Sequence, residues 1–262
     1  MKIAKTTARE RGNANMWLRP IEEQVIEAFW ASCGEPETFP RNLERSVALA
    51  LPLSVVKLPR LTISLVKDWL EHRGAGMKFA CTDRHLRGCL VAYRGQGIIF
   101  ADGADCEAEL RFTIAHEVAH FLVDYLRPRS AALSAFGDSM REVVDGLREP
   151  MPCERLHALF AAKTVRLHVN LMERSKDGDT NFEIRNIEDR ADRVGLALLA
   201  PPAVVVSGLG PLAPSFLERH RSIATELSSR FGLPDWIACA YSRALLVNMG
   251  CGPTWVEALK KR

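Results

Sequence analysis

Long apolar runs are missing from this sequence. No stretch approaches the ~20 consecutive apolar residues that a membrane span requires, so no membrane role is expected. Paired cysteines are missing too. The seven cysteines are an odd number and none stands in a C-x-x-C pair, which argues against a disulfide framework and against zinc held by thiolates, and fits reduced thiols in a cytoplasm. The opening "MKIAKTTARER" is basic but has no apolar h-region, so a secretory signal is not expected. An excess of one charge is also lacking. The formal net charge is +3, too small to imply a strong field for polyanions. There is no internal repeat and no low-complexity segment.

What remains is an ordinary globular composition, 47% hydrophobic and 26% charged, in a chain of 262 residues, long enough for a substantial core. Residues 1–15 read as a flexible arm. An N-terminal helical region over 16–75 holds "MWLRPIEEQVIEAFWASCG" and "PRNLERSVALAL" as helices, "PLSVVKL" as a strand, and "TISLVKDWLEHRGAG" as a helix opened by Thr62 or Ser64 and stopped at Gly74. Short apolar strands follow in "MKFACT", "GCLVAYRG" and "GIIFAD", with "RGQG" marking a tight hairpin. "RFTIAHEVAHFLVDY", residues 111–125, is apolar nearly all round and reads as a buried helix bounded by Pro128. Residues 129–182 read as a helical insertion, with pieces in "AALSAFGDSMREVVDGL" and "CERLHALFAA". "EIRNIEDRADRVGLALLA" is an amphipathic helix ended by Pro201 and Pro202, and a last helical pair fills 206–262. The expected fold class is α+β.

His116, Glu117 and His120 carry the chemistry. On a helix, residues i and i+4 share a face, so His116 and His120 can grip one metal ion while Glu117, one residue round, stays free to act as a base. This is the H-E-x-x-H arrangement of a zinc peptidase. The bland alternative is a core helix whose histidines merely satisfy hydrogen bonds. Against it, polar groups in a buried apolar helix are costly unless paired, and two imidazoles plus a carboxylate call for a collective reason.

A catalytic zinc needs a third protein ligand. The extension with Gly and a third His is excluded, because Val123 and Leu126 occupy those positions. Asp124 lies one turn past His120. A better candidate is Glu188 in "NIEDRADRVGLALLAPP", with Asp192 one turn on and able to receive the free ring N–H of a ligating histidine. Glu183 and Asp189 stand as further alternatives, and "EDRADR" also fits a solvated charged face.

"RFTIAHEVAHFL" followed by "EDRADRVGLALLAPP" resembles the ImmA/IrrE family of metallopeptidases. Members carry R-F-(S/T)-x-A-H-E-x-x-H after a β hairpin, then E-x-x-A-(N/D) before a helix ending in a leucine pair and proline. The resemblance covers about residues 85–247. It implies a zincin-like metallopeptidase core over 76–205, with a small sheet, an H-E-x-x-H helix, a Glu-bearing helix and the helical insertion at 129–182. It implies Zn2+ held by His116, His120 and Glu188, with Glu117 as catalytic acid/base. The implied partner is a cytoplasmic helix-turn-helix transcriptional repressor, cleaved in stress or mobile-element responses. Two positions depart from the pattern: the long stretch between His120 and Glu188, and Ala200 where members have Met.

"SIATELSSRFGLPDWIACAYSRALL" has the outline of a helix-turn-helix, yet its second helix offers only Arg243 as a cation, which argues against direct DNA binding. Cys153 could close the fourth zinc position, and His157, His168, Tyr93, Tyr125 and Arg111 are candidates for stabilising an oxyanion. Three functions fit: a zinc endopeptidase acting on a regulatory protein, a metal-binding regulatory module that needs the ligands but not Glu117, or a DNA-binding regulator with a vestigial peptidase fold.

Overall fold

A computed structural model of the chain describes residues 18–34, 36–75, 82–151, 167–174, 182–209, 213 and 215–255. The arm at 1–15, the strand expected over 77–82 (Thr82 excepted), the helix of "CERLHALFAA", Cys153 and His157 lie outside the described residues. The architecture is mixed α+β, and it divides into two units: Leu43–Gly195, and the described parts of 1–42 and 196–262. These boundaries differ from those read off the sequence, because a strand at 53–58 pairs into the same sheet as the hairpin and so draws residues 43–75 into the larger unit.

The larger unit is built on four strands: β1 (Leu53–Leu58), β2 (Leu86–Tyr93), β3 (Gln96–Asp102) and β4 (Leu167–Glu173), in spatial order β1-β3-β2-β4. β1 runs parallel to β3, and β2 is antiparallel to both β3 and β4. The β2–β3 hairpin closes through Arg94 (φ 53°) and Gly95 (φ 80°) between the paired residues Tyr93 and Gln96. Two successive residues with positive φ are what a type I′ turn requires, and its twist matches the flanking strands.

Residues of β2 are buried at successive positions from Gly88 to Ala92, so both faces of the sheet are covered. On one face Cys89, Val91 and Phe100 pack with Ile63, Val66 and Leu70 of a helix over Ile63–Glu71, and Val169 and Leu171 of β4 join them. Thr62 starts that helix by accepting the Leu65 N–H at 3.2 Å.

The other face carries the helix of the motif. It spans Glu107–His120, with Glu107 and Glu109 in a first turn that favours acids, and it is buried without a break from Phe112 to His120. Gly88 lets it sit close: a Cβ there would come within 2.6 Å of Thr113 Cγ2 and 3.0 Å of Glu117 Oε1. Pro128 does not end this helix. The chain passes through a π-helical segment, Phe121–Leu126, into a further helix over Arg127–Phe136 with Pro128 in its first turn. Proline cannot donate to an i−4 carbonyl and clashes with it; the widened turn just upstream is where the helical ladder absorbs that defect.

The insertion is not purely helical. Helical pieces occupy Arg127–Phe136, Asp138–Met140 and Arg141–Val144, but residues 167–173 form strand β4, paired to β2 from Leu86↔Glu173 to Tyr93↔Leu167. Alternation decides this. Val165, Leu167, Val169 and Leu171 recur every second residue, a strand period, and the face that Val169 and Leu171 present joins the sheet's core. The helical pieces are tied in by Arg129, which binds Asp145 through Nε at 2.7 Å and Nη2 at 2.8 Å, both side chains buried.

The smaller unit contains helices over Pro20–Cys33, Pro202–Gly208, Phe216–Ser229 and Asp235–Asn248, together with the last residues of the Phe182–Leu199 helix. Gly232 (φ 65°) turns the chain between the last two helices, whose buried faces include Ile223, Leu227, Ile237 and Tyr241. Two side chains satisfy carbonyls at the end of the Phe182–Leu199 helix. Arg41, stacked on Trp30 and Phe39, donates to Leu198 O at 2.6 Å, and Tyr241 Oη donates to Ala200 O at 2.7 Å. No single helix among the described residues is long and apolar enough to cross a membrane.

Candidate metal centre

In chain order, the helix Glu107–His120 is here called α4 and the helix Phe182–Leu199 α7, after helices at Pro20–Cys33 (α1), Leu43–Ala50 (α2) and Ile63–Glu71 (α3) and those at Arg127–Phe136 (α5) and Arg141–Val144 (α6). α4 brings His116 Nε2 and His120 Nε2 to 3.0 Å from each other. α7 brings Glu188 between them, with Oε2 3.3 Å from His116 Nε2 and Oε1 3.5 Å from His120 Nε2. His116 and His120 are buried, and Glu188 is the part of the site open to solvent.

The approach of α7 to α4 depends on Gly195. A Cβ there would lie 3.1 Å from the Ala115 carbonyl carbon and oxygen and from His116 N. Backbone meets backbone at this crossing, two turns along α7 from Glu188.

The inner ring nitrogens are also fixed. His116 Nδ1 lies 2.8 Å from Asp192 Oδ1, and His120 Nδ1 lies 2.8 Å from Asp124 Oδ2. A carboxylate accepts but cannot donate, so each Nδ1 carries the hydrogen, and in the neutral rings each Nε2 turns a lone pair toward the other and toward Glu188. Three electron-pair donors facing one another within 4.8 Å repel unless a cation lies among them. His116, His120 and Glu188 therefore form a group that could hold a metal ion.

The electrostatics agree in sign. Burial disfavours charge on His116, but Asp192 and Glu188 outweigh it and push its pKa up to about 10. Burial works against ionising Glu188, yet the His116 contact holds its carboxyl below the usual range. The site seeks positive charge.

Glu117 is different. It is fully buried, and burial raises its pKa. Its Oε2 accepts the Asn170 Nδ2–H at 3.3 Å, while Oε1 is buried with no hydrogen-bond partner in the structure. It stands beside the three donors without belonging to them.

Glu183 and Asp189 are exposed and lie outside the donor group, and Asp124 faces Nδ1 of His120, away from the converging Nε2 atoms. Of the oxyanion candidates, His168 lies on β4 with its ring centroid 6.5 Å from His120 and 6.5 Å from Tyr125, and burial lowers its pKa. Tyr125 is buried, with Oη accepting the Gly95 N–H at 2.5 Å. Tyr93 and Arg111 are half-buried. Asn170 and Arg190, whose Nη2 contacts Asp124 Oδ1, were not foreseen. Period-2 alternation through β4 is the signal that places His168 and Asn170 together on the face opposite Val169 and Leu171.

No model of a known protein family matches the chain, and no curated protein shows significant similarity to it.

Proposed function

We propose that the chain is a zinc-dependent endopeptidase with a zincin-like core, acting on a regulatory protein. The observation that supports it best is the division of labour around α4: His116, His120 and Glu188 converge as donors, while Glu117 sits apart, buried, with one oxygen unpartnered. The two Nε2 atoms lie 3.0 Å apart, and Glu188 approaches them through Oε2 at 3.3 Å and Oε1 at 3.5 Å, close to the ligand–ligand edges of about 3.3 Å of tetrahedral zinc with bonds of ~2.0–2.1 Å. The set of two imidazoles and one carboxylate matches that of catalytic sites that leave a fourth position open.

His116, His120 and Glu188 would hold the zinc, which would supply Lewis acidity for activating a water and polarising a scissile carbonyl. The chain's own residues do the rest. Asp192 and Asp124 keep the Nδ1–H tautomers, so both Nε2 lone pairs stay available. Glu117 Oε1 is free to take the proton of the attacking water and hand it to the amine nitrogen as the peptide bond breaks. Its burial raises its proton affinity, the direction that favours a general base. Asn170 holds the other oxygen and so fixes the rotamer.

The resemblance to the ImmA/IrrE family supports a cytoplasmic helix-turn-helix repressor as substrate, in a stress or mobile-element response. The test is to incubate zinc-loaded protein with purified helix-turn-helix repressors and map the products. One defined cut, abolished by a chelator and restored by zinc, is expected. Zinc binding without cleavage of any candidate would favour a regulatory metal module.

A further inference from the structure

Asp124 was weighed above as a ligand, and Arg190 had no assigned role. Their placement gives them one. Both oxygens of Asp124 are engaged: Oδ2 lies 2.8 Å from His120 Nδ1, and Oδ1 meets Arg190 Nη2. The Asp124 side chain is only 12% exposed, so it has little water to exchange for these partners.

The backbone explains how Asp124 comes to that spot. It follows His120 by four residues, but the intervening chain is π-helical, with the Arg127 N–H bonded to Leu122 O, five residues back. A turn closed by i→i+5 bonds holds more residues than an α turn. Each residue then advances less around the axis, and position i+4 is rotated backward relative to its α-helical place. The carboxylate is set against the inner ring nitrogen of His120.

The far side of the arrangement belongs to α7. Glu188, Arg190 and Asp192 alternate along one short stretch of it. Asp192 orients His116 directly, and Arg190 reaches His120 through Asp124. The helix that carries the third donor thus constrains both histidines. Arg190 also offsets one negative charge in a neighbourhood that holds Glu117, Glu188, Asp192 and Asp124.

We propose that Asp124 and Arg190 are positioning residues for His120: Asp124 receives the Nδ1–H and fixes the ring, and Arg190 holds Asp124 in that pose and couples it to the helix carrying Glu188. The proposal rests on the metal-centre part of the function proposed above. It is independent of whether the chain cleaves protein.

The test uses the full chain and zinc, with affinity read by competition against a chromophoric chelator. Loss of an outer carboxylate of this kind weakens metal binding ~10–100-fold, and that loss is expected for Asp124→Ala. Asp124→Asn should recover part of it, because the amide oxygen still accepts the Nδ1–H. Arg190→Gln should weaken binding by a smaller factor and Arg190→Lys by less again. Cobalt-substituted Asp124→Asn and Arg190→Gln should keep the wild-type visible spectrum, since the donor set is unchanged. Unchanged zinc affinity in folded Asp124→Asn and Arg190→Gln would show only an ion pair between helices and would overturn the proposal alone. A changed cobalt coordination number in Asp124→Asn would make Asp124 a ligand and overturn it too. A wild-type chain that binds neither metal would overturn it together with the metal centre.

Discussion

Glu117 follows His116 on α4 but contributes no atom to the group that could hold a metal ion, and one substitution separates the two roles. Glu117→Gln keeps the shape and the Asn170 contact while removing the proton acceptor. Zinc binding should survive, and cleavage should fall by roughly 10²–10⁴-fold, measured by zinc titration beside single-turnover cleavage of a repressor. Normal cleavage by that variant would rule the proton-transfer scheme out. Asp192→Ala is the complementary case: the expected result is zinc affinity weakened by ~10–100-fold with the site still formed. An unchanged titration would reduce Asp192 to a surface charge, in spite of its 2.8 Å contact with His116. At this scale legibility followed locality. The grouping of His116, Glu117 and His120 is set by helix geometry within five residues, so it can be read directly. The pairing of Asp124 with His120 is local too, but it depends on a π turn that no pattern announced. Asn170 and Arg190 act only through tertiary approach: alternation along β4 gives the face Asn170 shares with His168, but not its partner Glu117, and nothing local marks Arg190.

The elements meet at two glycines, and these set how precisely the site is assembled. Gly195 leaves no room for a side chain between α7 and α4: a Cβ there would lie 3.1 Å from the Ala115 carbonyl and His116 N. Gly195→Val must push the helices apart, at a cost of about 1–3 kcal/mol, and the displacement carries Glu188 and Asp192 away from His116. The expected outcome is a lower unfolding midpoint together with weaker zinc binding; loss of stability with unchanged zinc affinity would show that the crossing does not position the site. A second junction ties β3 to the residue that follows β4. Asp102, buried, accepts from Arg60 N–H at 2.7 Å, Ala104 N–H at 3.0 Å and Arg174 Nη2 at 2.5 Å. Burial opposes its ionisation, but these donors outweigh that and hold its pKa below the usual carboxylate value. A folded pKa below the unfolded one gives stability that is present above about pH 4 and lost as pH falls through the folded value. Urea midpoints should therefore drop on acidification below about pH 4, and Arg174→Ala should be less stable at neutral pH with a shallower acid loss. An equally steep loss in that variant would remove Asp102 as its source. The strand β4 is hard to read because helical composition precedes it, at 130–147 and 153–162, and a helix follows it from Phe182. The alternation at 165, 167, 169 and 171 was visible but short.

At the scale of the whole molecule, the stretch between α4 and α7 changes from an appendage into part of the frame. Hydrophobic patterning located most helices and the hairpin, because each is encoded within its own span. Domain boundaries were not legible in the same way: β1 joins β3 across more than 40 residues, and β4 joins β2 across about 80, so the sheet exists only as long-range pairing. The consequence can be tested by excision. Replacing residues 132–180 with a short Gly/Ser linker removes β4, and with it Val169 and Leu171 from the core, Asn170 from Glu117 and Arg174 from Asp102. It also removes Asp145 and leaves Arg129, 8% exposed, as a buried charge without its carboxylate. Breaking a buried pair by deleting one partner costs about 3–5 kcal/mol, a large part of the 5–15 kcal/mol by which domains are stable. The excised protein should lose its cooperative unfolding transition and its zinc. A replacement of 153–163 by Gly/Ser of equal length leaves every one of those groups in place and should keep both. If the larger excision still folds and binds zinc at wild-type affinity, β4 is dispensable and the sheet does not support the metal-bearing helices.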